Sequence, residues 1–228
     1  MDGILVVDKP QGITSHDVVD FLRRRFHIKK VGHAGTLDPM ATGVLVMLIG
    51  SYTKASNFFM SNDKEYEGAM VLGKVSDTGD ACGKITECKD PLKIDTATIE
   101  NIFKGFLGEI DQTPPAYSAI KINGKKMYEL ARKGIAVQAE PRKITIKNFD
   151  IIAIALPEVS FRVGCSKGTY VRQLAIDIGD RLGCGAYLSR LRRTASGEFK
   201  IENAVGFDQL RNMKAADLDM RLLHPCVS

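Results

Sequence analysis

Apolar residues change their period several times along the chain, and each change marks an element. Residues 4–7 form a short apolar run that predicts a buried strand. Thr14 and Ser15 then precede Val18, Leu22 and Phe26, which recur at helical spacing, so one of the two caps a helix. A glycine-rich loop over 32–43 leads into an apolar strand at 44–49, and 66–72 reads as a further strand. Residues 98–107 predict an amphipathic helix with Ile99, Ile102, Phe103 and Phe106 facing inward.

Beyond the Thr113-Pro114-Pro115 break, 118–122 reads as a strand that turns at Asn123-Gly124, a dipeptide suited to tight hairpins. A helix from about Met127 stops at Gly134. Two β-rich runs, 144–155 and 159–165, pair through Leu156-Pro157. A helix over 170–182 ends at Gly183, and 187–193 is the final strand. Hairpin signals outnumber βαβ crossovers, which predicts an α/β fold of the α+β kind with a mixed, mainly antiparallel sheet.

The 228 residues are 44% hydrophobic and 26% charged, an ordinary globular balance that excludes disorder. Their number is compatible with one domain over 1–228. Cys82, Cys88, Cys165, Cys184 and Cys226 form an odd set without zinc-site spacing, and are expected to be reduced thiols in a cytoplasmic protein. The first residues lack the basic lead-in of a secretory signal, and the run 44–49 is far shorter than the roughly 20 residues of a membrane helix, so no membrane association is expected.

Net charge is +5, but the cations are clustered. Arg23, Arg24, Arg25, Lys29 and Lys30 lie together, as do Lys121, Lys125, Lys126, Arg132 and Lys133; Arg142, Lys143 and Lys147; and Arg190, Arg192 and Arg193. The tail from 208 to 219 is acid-rich, which leaves the remainder more basic than the total. Solvated helix faces account for such runs in general, but several patches on one small protein fit a polyanionic partner better than a small substrate.

The candidate chemistry is in Gly32-His33-Ala34-Gly35-Thr36-Leu37-Asp38-Pro39-Met40-Ala41-Thr42-Gly43. Neither phosphate-loop nor dinucleotide-binding spacing is present. Asp38 is the only carboxylate between Asp20 and Asp63, and Pro39 biases it towards extended backbone. A lone carboxylate among cations is ionised at neutral pH, which suits a nucleophile or an electrostatic stabiliser better than a general acid. An Asx turn is the alternative that local sequence leaves open.

This loop, with Val44 and Leu45 after it, closely resembles the catalytic motif of TruB-type pseudouridine synthases, which act on the uridine at tRNA position 55. Further motifs follow in register: Asp8-Lys9-Pro10-Gln11-Gly12, Asp63-Lys64-Glu65-Tyr66, Ser166-Lys167-Gly168-Thr169-Tyr170-Val171-Arg172, Leu182-Gly183-Cys184-Gly185-Ala186 and Leu191-Arg192-Arg193-Thr194. The resemblance implies the pseudouridine synthase catalytic fold, with Asp38 as the catalytic carboxylate and Arg172 as its cationic partner. It further implies that Tyr66 stacks on the target base, that Tyr170 and Leu191 wall the pocket, and that His33 enters the RNA loop where the base has left. Lys9 is implied to order the site wall, and an insertion at about 118–142 to clasp RNA.

The implied partner is the T-arm of tRNA, met by a monomer without an obligate protein partner, a cofactor or a metal ion. Many relatives carry a further small RNA-binding domain at the C-terminus. Here only about 30 residues follow the last motif, fewer than the roughly 40 of an independently folding domain, so a short tail over about 204–228 and a weakened grip outside the T-arm are expected. Two rivals are a tRNA-folding chaperone and a guide-RNA-dependent rRNA pseudouridine synthase; the clasping insertion argues against the second.

Overall fold

The computed structural model describes residues 1–91, 93–118, 120–122, 124–131, 133–135 and 139–225. Asn123, Arg132 and Cys226, singled out above, lie outside them. The chain forms two compact units, one of residues 1–66 with 191–228 and one of residues 67–190.

The first unit begins with β1 (Gly3–Lys9) and α1 (Ser15–Phe26). Of the two candidate caps, Thr14 is the one used: its hydroxyl accepts the Asp17 N–H at 3.1 Å, and the Asp17 carboxylate accepts the Thr14 N–H at 2.7 Å. This reciprocal pair satisfies orphan donors of the first turn. Val18, Leu22 and Phe26 are buried, as their spacing predicts. β2 (Val31–His33), β3 (Thr42–Ile49) and the short α2 (Ser56–Met60) follow.

β4 (Lys64–Leu72) carries the chain into the second unit. There the hairpin β5 (Lys74–Ser76) and β6 (Ile85–Glu87) precedes α3 (Thr96–Lys104). α3 starts and stops earlier than predicted because the Asp95 carboxylate caps it through the Thr98 N–H and Gly105 ends it. β7 (Gly108–Gln112) leads to a small hairpin, β8 (Lys121–Ile122) and β9 (Lys125–Lys126), then α4 (Met127–Ala131). The strand expected at 118–122 is therefore only two residues long.

β10 (Arg142–Ala155) and β11 (Glu158–Cys165) pair antiparallel as predicted. α5 (Val171–Leu182) begins one residue after Tyr170 and ends at Gly183, whose φ of 69° is the left-handed region that glycine favours. β12 (Ala186–Ser196) returns the chain to the first unit. It is not the last strand: β13 (Phe199–Lys200) and β14 (Val205–Gly206) come after it, then α6 (Phe207–Asn212) and α7 (Ala215–Asp219). The pattern missed β13 and β14 because each is only two residues long.

In the first unit β1 lies between β14, parallel, and β3, antiparallel, while β2 pairs with β3 antiparallel. The apolar run of β3 is buried throughout, and Val44, Val46 and Leu48 pack with Ile4, Val6, Phe59 and Phe199. A strand covered on both faces reads as a continuous apolar run, which is what residues 44–49 are. The tail is part of this unit, with Leu210 and Leu218 fully buried and Arg25 donating to the Arg211 and Met213 carbonyls. In the second unit the strand order is β12, β4, β11, β10, β7. Its core includes Phe103, Phe149 and Phe161, whose ring centroids lie 4.5–6.4 Å apart. Among the described residues no helix is long and apolar enough to cross a membrane.

Candidate active site

Strand register sets one side of the site. Lys9 on β1 stands opposite Gly43 on β3, and Gly43 stands opposite Arg193 on β12. Neighbours across a ladder project to the same face, so Lys9 and Arg193 flank a position that has no side chain. Glycine is required there: its φ is 99°, and a Cβ would come within 2.2 Å of the Arg193 carbonyl oxygen.

Lys9 is fully buried, and its Nζ donates to the Pro10 and Ile13 carbonyls at 2.8 Å each. The folded segment 10–13 is thereby closed over its own lysine. Gly12 in turn donates its N–H to the carbonyl of Pro39 at 2.8 Å, which ties this segment to the residue after Asp38. Burial pulls the Lys9 ammonium down to about 8; the Asp38 carboxylate opposes the shift, and the Arg193 charge adds to it.

Asp38 is half-buried in the loop between β2 and β3, where the Ala41 N–H bonds back to its carbonyl at 3.0 Å. This is a main-chain turn through the Asp38 carbonyl, distinct from an Asx turn, whose acceptor is the side-chain carboxylate; such a turn is compatible with a catalytic carboxylate. Leu37, the residue before it, is held at both backbone groups by Ser15 of α1. Arg193 is 1% exposed, with Nε donating to the Val44 carbonyl at 2.7 Å and Nη2 to the Gly35 carbonyl at 3.0 Å. Arg192 makes a two-pronged ion pair with Asp8, at 2.7 and 3.1 Å.

His33 ends β2 and is partly exposed. Burial lowers its pKa from the ordinary value, and the Arg193 and His16 charges lower it further, so the ring is neutral at pH 7. A neutral ring suits stacking among bases. Tyr66 is 8% exposed on β4, and Leu191 is half-buried on β12 with its carbonyl accepting the Thr42 hydroxyl at 3.5 Å. His33, Asp38, Lys9, Tyr66 and Leu191 thus all belong to the first unit.

Tyr170 and Arg172 belong to the second. The buried Gln112 side chain of β7 holds Tyr170 at both backbone groups: Oε1 accepts its N–H at 2.8 Å and Nε2 donates to its carbonyl at 3.1 Å. This clamp fixes the start of α5. Two residues on, the buried Arg172 donates to the Thr78 and Tyr117 carbonyls at 3.0 and 3.2 Å and lies 3.5 Å from the Asp80 carboxylate. Asp80 also accepts the Thr78 hydroxyl at 2.7 Å and the Cys82 N–H at 3.0 Å.

Ser15, Asp80, Gln112 and the side-chain role of Arg193 were not anticipated. Ser15 carried a signal as a cap candidate, and Arg193 as part of a motif. Asp80 and Gln112 carried none, since each meets its partner only through tertiary contact.

Comparisons with known proteins identify the family. The model of the TruB family pseudouridylate synthase N-terminal domain matches residues 23–171, and that of the tRNA pseudouridylate synthase B C-terminal domain matches 172–228. The chain is 48% identical to the tRNA pseudouridine synthase B of Opitutus terrae over 98% of this chain and 92% of that one. It is 50% identical to the protein of the same name from Clostridium tetani, over 92% and 73% respectively. Among solved structures, a chain of a Cbf5-Nop10-Gar1 complex superposes with a TM-score of 0.73 at 33% identity, and one of an H/ACA RNP bound to a substrate RNA containing 2'-deoxyuridine with 0.70 at 30%. Each covers 92% of this chain, which spans about half of theirs.

Proposed function

The chain belongs to the TruB family of pseudouridylate synthases, and from that membership we propose that it converts the T-loop uridine at tRNA position 55 to pseudouridine. The family's reaction is an isomerisation of a uridine in tRNA, and this chain is an isomerase of that kind. The bond from ribose C1′ to uracil N1 breaks, the uracil turns, and C1′ rejoins at C5. The proton leaves C5 and N1 gains one, so composition is unchanged and no redox equivalent is consumed.

One observation carries the assignment of roles. The loop over 32–43 presents a single carboxylate, Asp38, within electrostatic reach of a buried ammonium, on a backbone tied to α1 and to the segment after β1. Asp38 is the catalytic group, attacking the target nucleotide or assisting departure of uracil. Reaching a base inside an RNA loop requires extruding it at a cost of a few kcal/mol, and the neutral His33 ring offsets part of this by stacking in the space left. By the family resemblance Tyr66, Leu191, Tyr170 and Arg172 bind the substrate nucleotide, while Lys9 holds the wall behind the loop.

The reading extends to a single catalytic domain whose segment at about 118–142 clasps the RNA, and to a cytoplasmic monomer that needs no protein partner, metal or cofactor. Incubation of unmodified tRNA transcripts with the purified chain alone, followed by mapping of pseudouridine, tests it. Modification at position 55 is the expected result. Modification only when a guide RNA and partner proteins are added assigns the chain to the guide-dependent branch, and refolding of tRNA without any modification assigns it to a chaperone role.

A further inference from the structure

Arg193 closes the Asp38 loop in three ways at once. Its Nη2 donates to the carbonyl of Gly35 and its Nε to the carbonyl of Val44, two residues that bracket Asp38. Its backbone runs in parallel register with Gly43. Gly43 has no room for a Cβ because the Arg193 backbone is already there. The guanidinium is buried, and among the described residues no carboxylate forms an ion pair with it. A buried cation without such a partner is unfavourable, and an apolar side chain of the same volume would avoid that cost. What an apolar side chain lacks is donors. The Gly35 carbonyl in the loop and the Val44 carbonyl in β3 are met by two donors held at fixed separation on one planar guanidinium, a rigid fork that the flexible ammonium of lysine lacks.

We propose that Arg193 is a positioning residue of the reaction, holding the Asp38 loop in its productive conformation by bridging the backbone at the loop's two ends. The inference rests on the reading of Asp38 as the catalytic group. Arg193 touches backbone and not the reacting atoms, so its effect falls on the rate of the chemical step. Its charge has a second consequence: it lowers the pKa of both Lys9 and His33, which supplies a readout separate from folding.

The test uses Arg193→Lys and Arg193→Met in the full chain, with three measurements on each. Single-turnover conversion of a T-arm hairpin is expected to fall about 100-fold in both variants, the scale of a small misplacement of a catalytic group. Hairpin affinity is expected to stay within about threefold, since uniform binding is untouched. Amide hydrogen exchange is expected to show lost protection at Ala41, bonded to the Asp38 carbonyl, and at Gly12, bonded to that of Pro39, with the β1–β3 ladder still protected. NMR titration of His33 is expected to show a higher pKa in the Met variant only. Retained rate and loop protection in Arg193→Met overturns the proposal, as does loss of affinity and of ladder protection together with rate, which marks a residue of the fold alone. If the Met variant does not fold, the Lys variant decides by the same criteria. If wild type itself forms no pseudouridine, the catalytic reading fails, and exchange at Ala41 and Gly12 still decides whether Arg193 positions the loop.

Discussion

Ser15 and Leu37 share two hydrogen bonds: the Leu37 N–H donates to the Ser15 hydroxyl oxygen at 2.8 Å, and that hydroxyl donates to the Leu37 carbonyl at 3.0 Å. A single side chain on the first turn of α1 thereby fixes the residue that precedes the proposed catalytic carboxylate. Ser15→Ala leaves two buried backbone groups without this partner and is expected to cost about 2 kcal/mol in urea unfolding. The single-turnover rate is expected to drop roughly tenfold or more while hairpin binding holds. A variant as stable and as fast as wild type would remove Ser15 from the account.

The Lys9 ammonium gives a signature in pH. The folded protein releases this proton near 8, whereas the unfolded chain keeps it to the ordinary value of 10.5. Between those values the unfolded state binds more protons, so stability rises with pH. Denaturant titrations of wild type and Lys9→Met from pH 7 to 10.5 should therefore converge or cross, with wild type gaining relative to the variant above about pH 8. Parallel curves would contradict burial of a titrating ammonium at this position.

In the second unit, Asp80 and Arg172 are both 6% exposed at their side chains. Asp80→Ala leaves the guanidinium without this counter-charge and removes acceptors from Thr78 and Cys82. The expected cost is about 3 kcal/mol by denaturant unfolding, with a larger loss of rate than of hairpin affinity, since the family resemblance gives Arg172 the role of cationic partner to the catalytic carboxylate. Unchanged stability would mean that the other bonds of Arg172 suffice.

Binding should also report on the basic patch of α1 and its exit, where Arg24, Lys29 and Lys30 are exposed. If Arg24 neutralises a phosphate, Arg24→Ala reduces the magnitude of the slope of log affinity against log salt by about 0.7–0.9. An unchanged slope assigns Arg24 to a solvated face, where it makes a long contact of 3.9 Å to Asp20.

Much of this was legible because it is local. The spacing of Val18, Leu22 and Phe26, the unbroken apolar run 44–49 and the stop at Gly183 each fix an element from neighbouring residues alone. The candidate residues were legible through motifs, which carry roles and not geometry. What stayed hidden was made by register and tertiary contact. Nothing near Gln112 in the sequence shows that it clamps Tyr170, and nothing near Gly43 shows that Lys9 and Arg193 flank it. The two-residue strands β13 and β14 are too short to produce a period.

The most direct test of the central claim is single-turnover conversion of a uridine-labelled T-arm hairpin by wild type and Asp38→Asn, with binding of the same hairpin measured in parallel. Wild type is expected to form pseudouridine, and Asp38→Asn to bind with similar affinity and form none. Pseudouridine formed by Asp38→Asn at a rate near wild type would show that the carboxylate of this loop is not the catalytic group.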